Sequence, residues 1–310
     1  MIFSTSRLSQ SVIILVLVIV AASPANGGLR ERKAHDPQQT ITVGGTARTY
    51  LLHVPGSLQK GKPAPLVLVF HGGGGHAGNM PKFTQFDRLA DQQGFIVAYP
   101  EGLNTHWSDT RGLSPADDVG FIRALVAEIE RSQNIDLKRV YATGISNGGF
   151  FSQRLACELA DKIAAVASVA ATIPEPLVPV CRPSRPVSVM FMHGTKDPLV
   201  PIDGGPVART HGRCVSLAAG SSFWRNHDQT SSKPSSADLP DNARDGTRVH
   251  REVYGGGKRD TEVVVYTIEG GGHTWPGSTQ YLPAFLVGKA SKNLDATRTI
   301  WEFFQKHSMQ

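Results

Sequence analysis

The chain predicts an α/β protein with a mainly parallel central sheet covered by helices on both faces. Three observations predict it. Short, purely apolar runs recur along the chain and stop at loops, as strands buried on both faces do. Between them lie segments whose apolar residues return with a helical period. Three of the runs end beside a single residue of reactive type, and in an open parallel sheet function gathers at the carboxyl ends of the strands.

The elements follow in chain order. "TITVGGTARTYLLHVP", from Thr40, reads as two strands joined at Gly44-Gly45. "APLVLVFHGGGG" is an apolar run, Leu66 to Phe70, that stops at a glycine loop, and "GFIVAYPEG" is a second run. "DDVGFIRALVAEIERSQN" places Val119, Ile122, Leu125, Val126 and Ile129 near a 3.6-residue period and predicts a helix. Asp117 and Asp118 open it as N-terminal caps, where negative charge is favoured. "KRVYATGIS" is the next strand, "NGGFFSQRLACELADK" the next helix, and "IAAVASVAA", "PVSVMFMHGT" and "TEVVVYTIEG" are further strands. "DATRTIWEFFQKH" is a closing helix. One region breaks the alternation: residues 226–247, rich in Ser, Asp and Pro, predict an exposed, mobile insertion.

Residues 1–25 carry Arg7, an apolar stretch from Val12 to Ala22 and then small residues, with Ser23 and Ala25 fitting a cleavage site. That is the order of a secretory signal, which leaves residues 26–310 as one domain and predicts a secreted protein without a membrane span once the signal is removed. Export brings an oxidising compartment. The three cysteines, Cys157, Cys181 and Cys214, then allow one bridge, in any of three pairings. No C-x-x-C pattern is present, and neither a metal nor an organic cofactor is expected. The net charge of +6 is spread along the chain, densest at Arg30, Arg32 and Lys33. Without a basic run interleaved with aromatics, a nucleic-acid partner is not expected.

The chemistry centres on "YATGISNGGFFSQ". A G-x-S-x-G pattern between a strand and a helix is a nucleophile elbow: Gly144 and Gly148 let strand and helix approach, and Ser146 is lifted out of the backbone. A serine hydroxyl is a weak nucleophile until a base takes its proton. His273, after "VVVYTIEGGG", is the candidate base, and Asp197, after "VSVMFMHGTK", the acid that orients it. Asp203 is the rival acid in the same loop, and His71 and His76 are the next suspects for the base. Two backbone N–H groups should hold the developing oxyanion. Asn147 supplies one, and Gly73, in the loop Gly72 to Gly74, supplies the other. The base must be neutral to act, which predicts activity rising through the imidazole range, roughly pH 6–7.

"HGGGG", "DDVGFI", "GISNGG", "HGTKDPLVPIDGG" and "EGGGHTWPG" together resemble the poly(3-hydroxybutyrate) depolymerase-type esterases, related to feruloyl and acetyl-xylan esterases of the α/β-hydrolase fold. The likeness runs from about Thr40 to the final helix. It implies Ser146 as nucleophile, Asp197 as acid and His273 as base, with a small or oligomeric ester as substrate. It places Trp107 and Trp275 near the mouth of the site, on the substrate rim, and Cys157 and Cys181 where the family tends to have a bridge. The chain departs from its relatives in lacking a cysteine pair before the histidine strand. A peptidase on the same fold and a noncatalytic binding protein are the competing expectations. Only 37 residues follow His273, so a separate polymer-binding module is not expected there. Faster hydrolysis of soluble oligomers than of crystalline polymer follows from that.

Overall fold

The computed structural model describes residues 37–310. The expected signal and the basic cluster after it lie outside the described residues. Among the described residues there are twelve strands: β1 (Gln39–Val43), β2 (Thr46–His53), β3 (Ala64–Phe70), β4 (Ile96–Pro100), β5 (Ile135–Ile145), β6 (Ala165–Val169), β7 (Ser188–Gly194), β8 (Gly205–Pro206), β9 (Arg213–Cys214), β10 (Ser235–Asp238), β11 (Arg248–Tyr254) and β12 (Val263–Glu269). The helices are α1 (Met80–Thr84), α2 (Phe86–Gln93), α3 (Asp118–Ser132), α4 (Asn147–Glu158), α5 (Leu217–Asp228), α6 (Ala284–Val287) and α7 (Ala296–Phe304).

Ten strands form one sheet in the order β1-β2-β4-β3-β5-β6-β7-β12-β11-β10. The run from β4 to β12 is parallel throughout, and the antiparallel pairs are confined to the two ends. The side-chain period of two explains why β3 reads as uniformly apolar. Leu66, Leu68 and Phe70 join one core layer with Phe121, Ile122 and Leu125 of α3 and Phe151 and Leu155 of α4. Val67 and Val69 join the other with Phe86 and Leu89 of α2 and Ile300 and Phe303 of α7. Each face is apolar because each face is covered.

The stretch 226–247 is exposed over most of its length but is built into the fold. Its first residues finish α5, and Ser235–Asp238 pairs with β11 as the edge of the sheet. An edge strand that is exposed at every residue has no apolar alternation to betray it. Its polar composition suits an edge that must not recruit another strand. Cys157 and Cys181 are bridged, with Cα atoms 5.1 Å apart, and Cys214 is buried and unbridged. The bridge ties α4 to the loop before β7. Among the described residues no helix is long and apolar enough to cross a membrane.

Candidate active site

β5 ends at Ile145 and α4 begins at Asn147, so Ser146 alone makes the turn. Its backbone sits at φ 56° and ψ −120°, a region that L-residues avoid. Hydrogen bonds on both sides hold it there: its N–H donates to Val169 O at 2.9 Å, and its O accepts from Phe150 N–H at 2.9 Å. The flanking glycines are steric necessities. A Cβ on Gly144 would stand 2.6 Å from the Gly148 carbonyl carbon, and one on Gly148 would stand 2.5 Å from Phe70 O. Gly149 is equally required, with the Ala171 Cβ 2.8 Å away.

Asp197 and His273 lie at the carboxyl ends of β7 and β12, neighbours in the sheet. His273 Nδ1 donates to Asp197 Oδ2 at 2.8 Å, and both residues are buried. The other carboxylate oxygen accepts from the backbone N–H groups of Leu199 and Val200, each at 2.8 Å. Burial works to raise the Asp197 pKa. The charge and hydrogen bond of His273 and the Val200 N–H outweigh it, so the carboxyl is held below its usual range. Asp203 is exposed and has no bond to His273. His193, fully buried on β7, donates from Nε2 to Val200 O at 2.8 Å, and burial pushes its pKa down. It is a neutral prop beneath the Asp197 loop.

The glycine loop after β3 closes the third side. Gly74 and Gly75 spend their N–H groups on Thr105 O and Gly72 O, each at 3.0 Å. Gly72 and Gly73 lie against the elbow. A Cβ on Gly72 would touch Ser146 Cβ at 3.5 Å, and one on Gly73 would touch Asn147 Cβ at 3.6 Å. His71 sets the loop rather than acting in it. Gly102 N–H donates to its Nε2 at 3.0 Å, which puts the ring proton on Nδ1, donated to Gly72 O at 2.8 Å. Burial lowers its pKa and keeps this neutral form. His76, in contrast, faces solvent and pairs with Glu101 at 3.0 Å.

Asn147 is clamped by its side chain. Its Oδ1 accepts from Trp107 N–H at 2.7 Å, and its Nδ2 donates to Trp107 O at 3.0 Å and Asp109 Oδ2 at 2.7 Å. Asp109 is itself held by Arg111, whose guanidinium lies 4.0 Å over the Phe150 ring. The two tryptophans expected on the rim are interior instead. Trp107 is fully buried, stacks on Phe151 at 5.0 Å and donates Nε1 to His71 O at 3.1 Å. Trp275 is 1% exposed and donates Nε1 to Thr297 Oγ1 at 3.0 Å. An indole brings a large apolar area with one donor, and here both donors are spent inside the protein. Asp117 caps α3 by accepting from Gly120 N–H at 2.8 Å. Asp118 does more than cap: it pairs with Arg48 of β2 at 2.6 Å and accepts from Ser108 N–H at 2.7 Å, tying down the loop that carries Trp107.

Residues 48–209 match the family model described as Esterase PHB depolymerase. The chain belongs to that family. It is 36% identical over 281 residues to the protein named "Putative esterase NocK" of Nocardia uniformis subsp. tsuyamanensis, covering 85% of this chain and 80% of that one. It is 30% identical over 235 residues to Feruloyl esterase B of Piromyces equi, covering 73% of this chain and 42% of that longer protein. Among solved structures, acetyl xylan esterase from Aspergillus awamori superposes with a TM-score of 0.55 at 15% identity, covering 77% of this chain and 94% of that one. At that identity the likeness shows the α/β-hydrolase fold alone. The family makes this protein a carboxylic ester hydrolase.

Three of the esterase's site residues had weak signals in the sequence. Asp109 and Arg111 lie in an irregular loop, and nothing local announces that they hold Asn147. His106 lies beside them, half-buried, with Nδ1 bonded to Asn104 O at 2.9 Å. Its Nε2 would stand 3.2 Å from a Cβ on Gly73. Only the closed loop brings it to the candidate oxyanion donors.

Proposed function

We propose that the protein is a secreted serine carboxylesterase. Ser146 Oγ attacks the ester carbonyl carbon while His273 Nε2 takes its proton. The carbonyl oxygen becomes an oxyanion bonded by the N–H groups of Asn147 and Gly73. Collapse breaks the bond to the alcohol oxygen, which receives the proton from His273, and leaves an acyl-serine. Water then repeats the sequence with His273 as base, releasing the acid and restoring Ser146. Asp197 holds the His273 ring with its proton on Nδ1 and stabilises the imidazolium in each half.

The observation that carries this reading is the buried 2.8 Å bond between His273 and Asp197, at the carboxyl ends of β7 and β12, the same end of the sheet at which β5 delivers Ser146. An aryl fluorophosphonate should label the parent protein and fail to label folded Ser146→Ala. Labelling that survives in Ser146→Ala would sink the nucleophile assignment, and no labelling of the folded parent would favour a noncatalytic binder. For substrate we propose carboxylic esters of the feruloyl, acetyl or hydroxybutyrate type. Relative rates on feruloyl esters, acetylated xylan, hydroxybutyrate oligomers and a peptide panel decide among them, and a faster rate on peptides would make the protein a peptidase. Secretion rests on the pattern of residues 1–25 and accords with the Cys157–Cys181 bridge. N-terminal sequencing of exported protein should find a start near residue 26.

A further inference from the structure

Among the described residues, five large apolar side chains are more than a third exposed: Val54, Val180, Tyr281, Phe285 and Leu286. Three of the five fall within six residues. Phe285 is 85% exposed, Leu286 45% and Tyr281 40%. Scattered exposed apolar residues need no explanation, but a contiguous patch does. The segment around them, residues 276–288, has no charged side chain in a protein that is 19% charged.

This strap is bonded to His273 at two points. Tyr281 Oη donates to His273 O at 3.1 Å, and His273 N–H donates to Val287 O at 2.6 Å. The strap is also closed on itself. Gln280 Nε2 donates to Leu282 O at 2.8 Å and Gly288 O at 2.9 Å, and Gln280 Oε1 accepts from Ala290 N–H at 2.9 Å. Tyr281 packs edge-on to Phe83 at 5.7 Å. Phe285 and Leu286 are thus held out to solvent on an ordered frame, so little further ordering is required when an apolar group lies on them.

The side of the substrate follows from the chemistry. The carbonyl oxygen of a bound ester points at the N–H groups of Gly73 and Asn147. His273 must reach both Ser146 Oγ and the departing alcohol oxygen. The strap is bonded to the backbone of His273, so its apolar side chains lie next to the residue that meets the departing alcohol.

We infer that Phe285 and Leu286 are specificity-determining residues that hold an apolar alcohol group of the ester beside His273. The inference rests on the proposed roles of Ser146 and His273. The experiment compares ethyl and hexyl acetate, followed by acid release at constant pH, for the parent and for Phe285→Ser/Leu286→Ser. The parent should favour the hexyl ester in kcat/KM. Four extra methylenes laid on a surface patch support a preference of about tenfold, and the double variant should lose it, mainly through KM. Val180→Ser, an exposed apolar residue elsewhere, should keep the preference. A parallel series of ethyl esters from acetate to octanoate should respond less to the double variant. A hexyl preference unchanged in the double variant overturns the inference, as does a loss confined to the acyl series. A parent dimer that the double variant dissociates, with selectivity unchanged, would assign the patch to a second copy of the chain and overturn it too. Product inhibition by 1-hexanol against ethanol reads the same surface whichever residue is the nucleophile. Turnover retained in Ser146→Ala therefore refutes the nucleophile alone, whereas equal inhibition ratios in parent and double variant refute the strap.

Discussion

At Ser146, the proposed nucleophile's position and the stability of the chain pull in opposite directions. A backbone at φ 56° and ψ −120° suits glycine, and strain of this kind costs roughly 1–3 kcal/mol. Ser146→Gly should therefore be more stable than Ser146→Ala by about 1 kcal/mol, although glycine normally loses more chain entropy on folding. Chemical denaturation of the two variants checks this, and both should lack esterase turnover. A lower stability for the glycine variant would mean that the turn is not strained. Asn147 gives a second test. Its side chain makes three buried hydrogen bonds, so Asn147→Ala leaves Asp109 and both backbone groups of Trp107 short of a partner. A loss of about 2–4 kcal/mol is expected from denaturant midpoints. Asn147→Asp should be worse, because its second oxygen would face Asp109 and Trp107 O with no hydrogen to donate.

Elements carry two further expectations. The Cys157–Cys181 bridge closes a separation of 24 residues between α4 and the loop before β7. The chain-entropy model values such a closure at about 3 kcal/mol, so the double serine variant should unfold earlier by that amount while Cys214 contributes no alternative bridge. At the end of α5, Asp228 is fully buried at the helix terminus that disfavours negative charge. One oxygen pairs with His227 at 2.7 Å. Burial pushes this carboxyl up to about 6, against the pull of His227. A raised carboxyl pKa means the folded state prefers the proton. Its cost is absent below about pH 4, grows between pH 4 and 6, and is complete above. Asp228→Asn should match the parent at pH 4 and exceed it by up to about 3 kcal/mol at pH 7. Thermal midpoints across that range test the sign, and a gap that narrows as pH rises would refute it. The same elements show what was legible beforehand. The parallel strands announce themselves as continuous apolar runs because both their faces are covered, and α3, α4 and α7 by their helical pattern. β10 and β11 do not, since one is exposed throughout and the other is mostly half-buried or exposed. α5 was obscured because its polar end, Arg225 to Asp228, runs into the serine-rich stretch.

Over the whole molecule, the candidate site residues legible in the sequence are those at strand ends, where topology concentrates function. The candidates Ser146, Asp197 and His273 stand out in the sequence through glycine-marked loops in chain order. Trp107 was misplaced because an indole in a loop looks the same whether it faces a ligand or seals the core under Asn147. The supporting contacts, His71 to Gly102 and Asn147 to Asp109, join residues 31 and 38 positions apart, and no local pattern encodes them. The opposite end of the sheet has its own long-range closure. Tyr141 Oη donates to His307 O at 2.7 Å, Met309 N–H donates to Lys138 O at 2.8 Å, and His307 pairs with Glu262 at 3.1 Å. Residues 307–309 thus fasten the starts of β5 and β12. Phe95, Tyr141, Trp301 and Phe304 stack into one aromatic seam that is incomplete until α7 arrives. During synthesis this layer of the sheet stays open until α7 has been made, an interval in which uncovered apolar surface favours aggregation. A chain stopped after residue 295 should accumulate as aggregate with Tyr141 and Phe95 uncovered. Supplying residues 296–310 as a separate peptide during refolding should recover soluble protein.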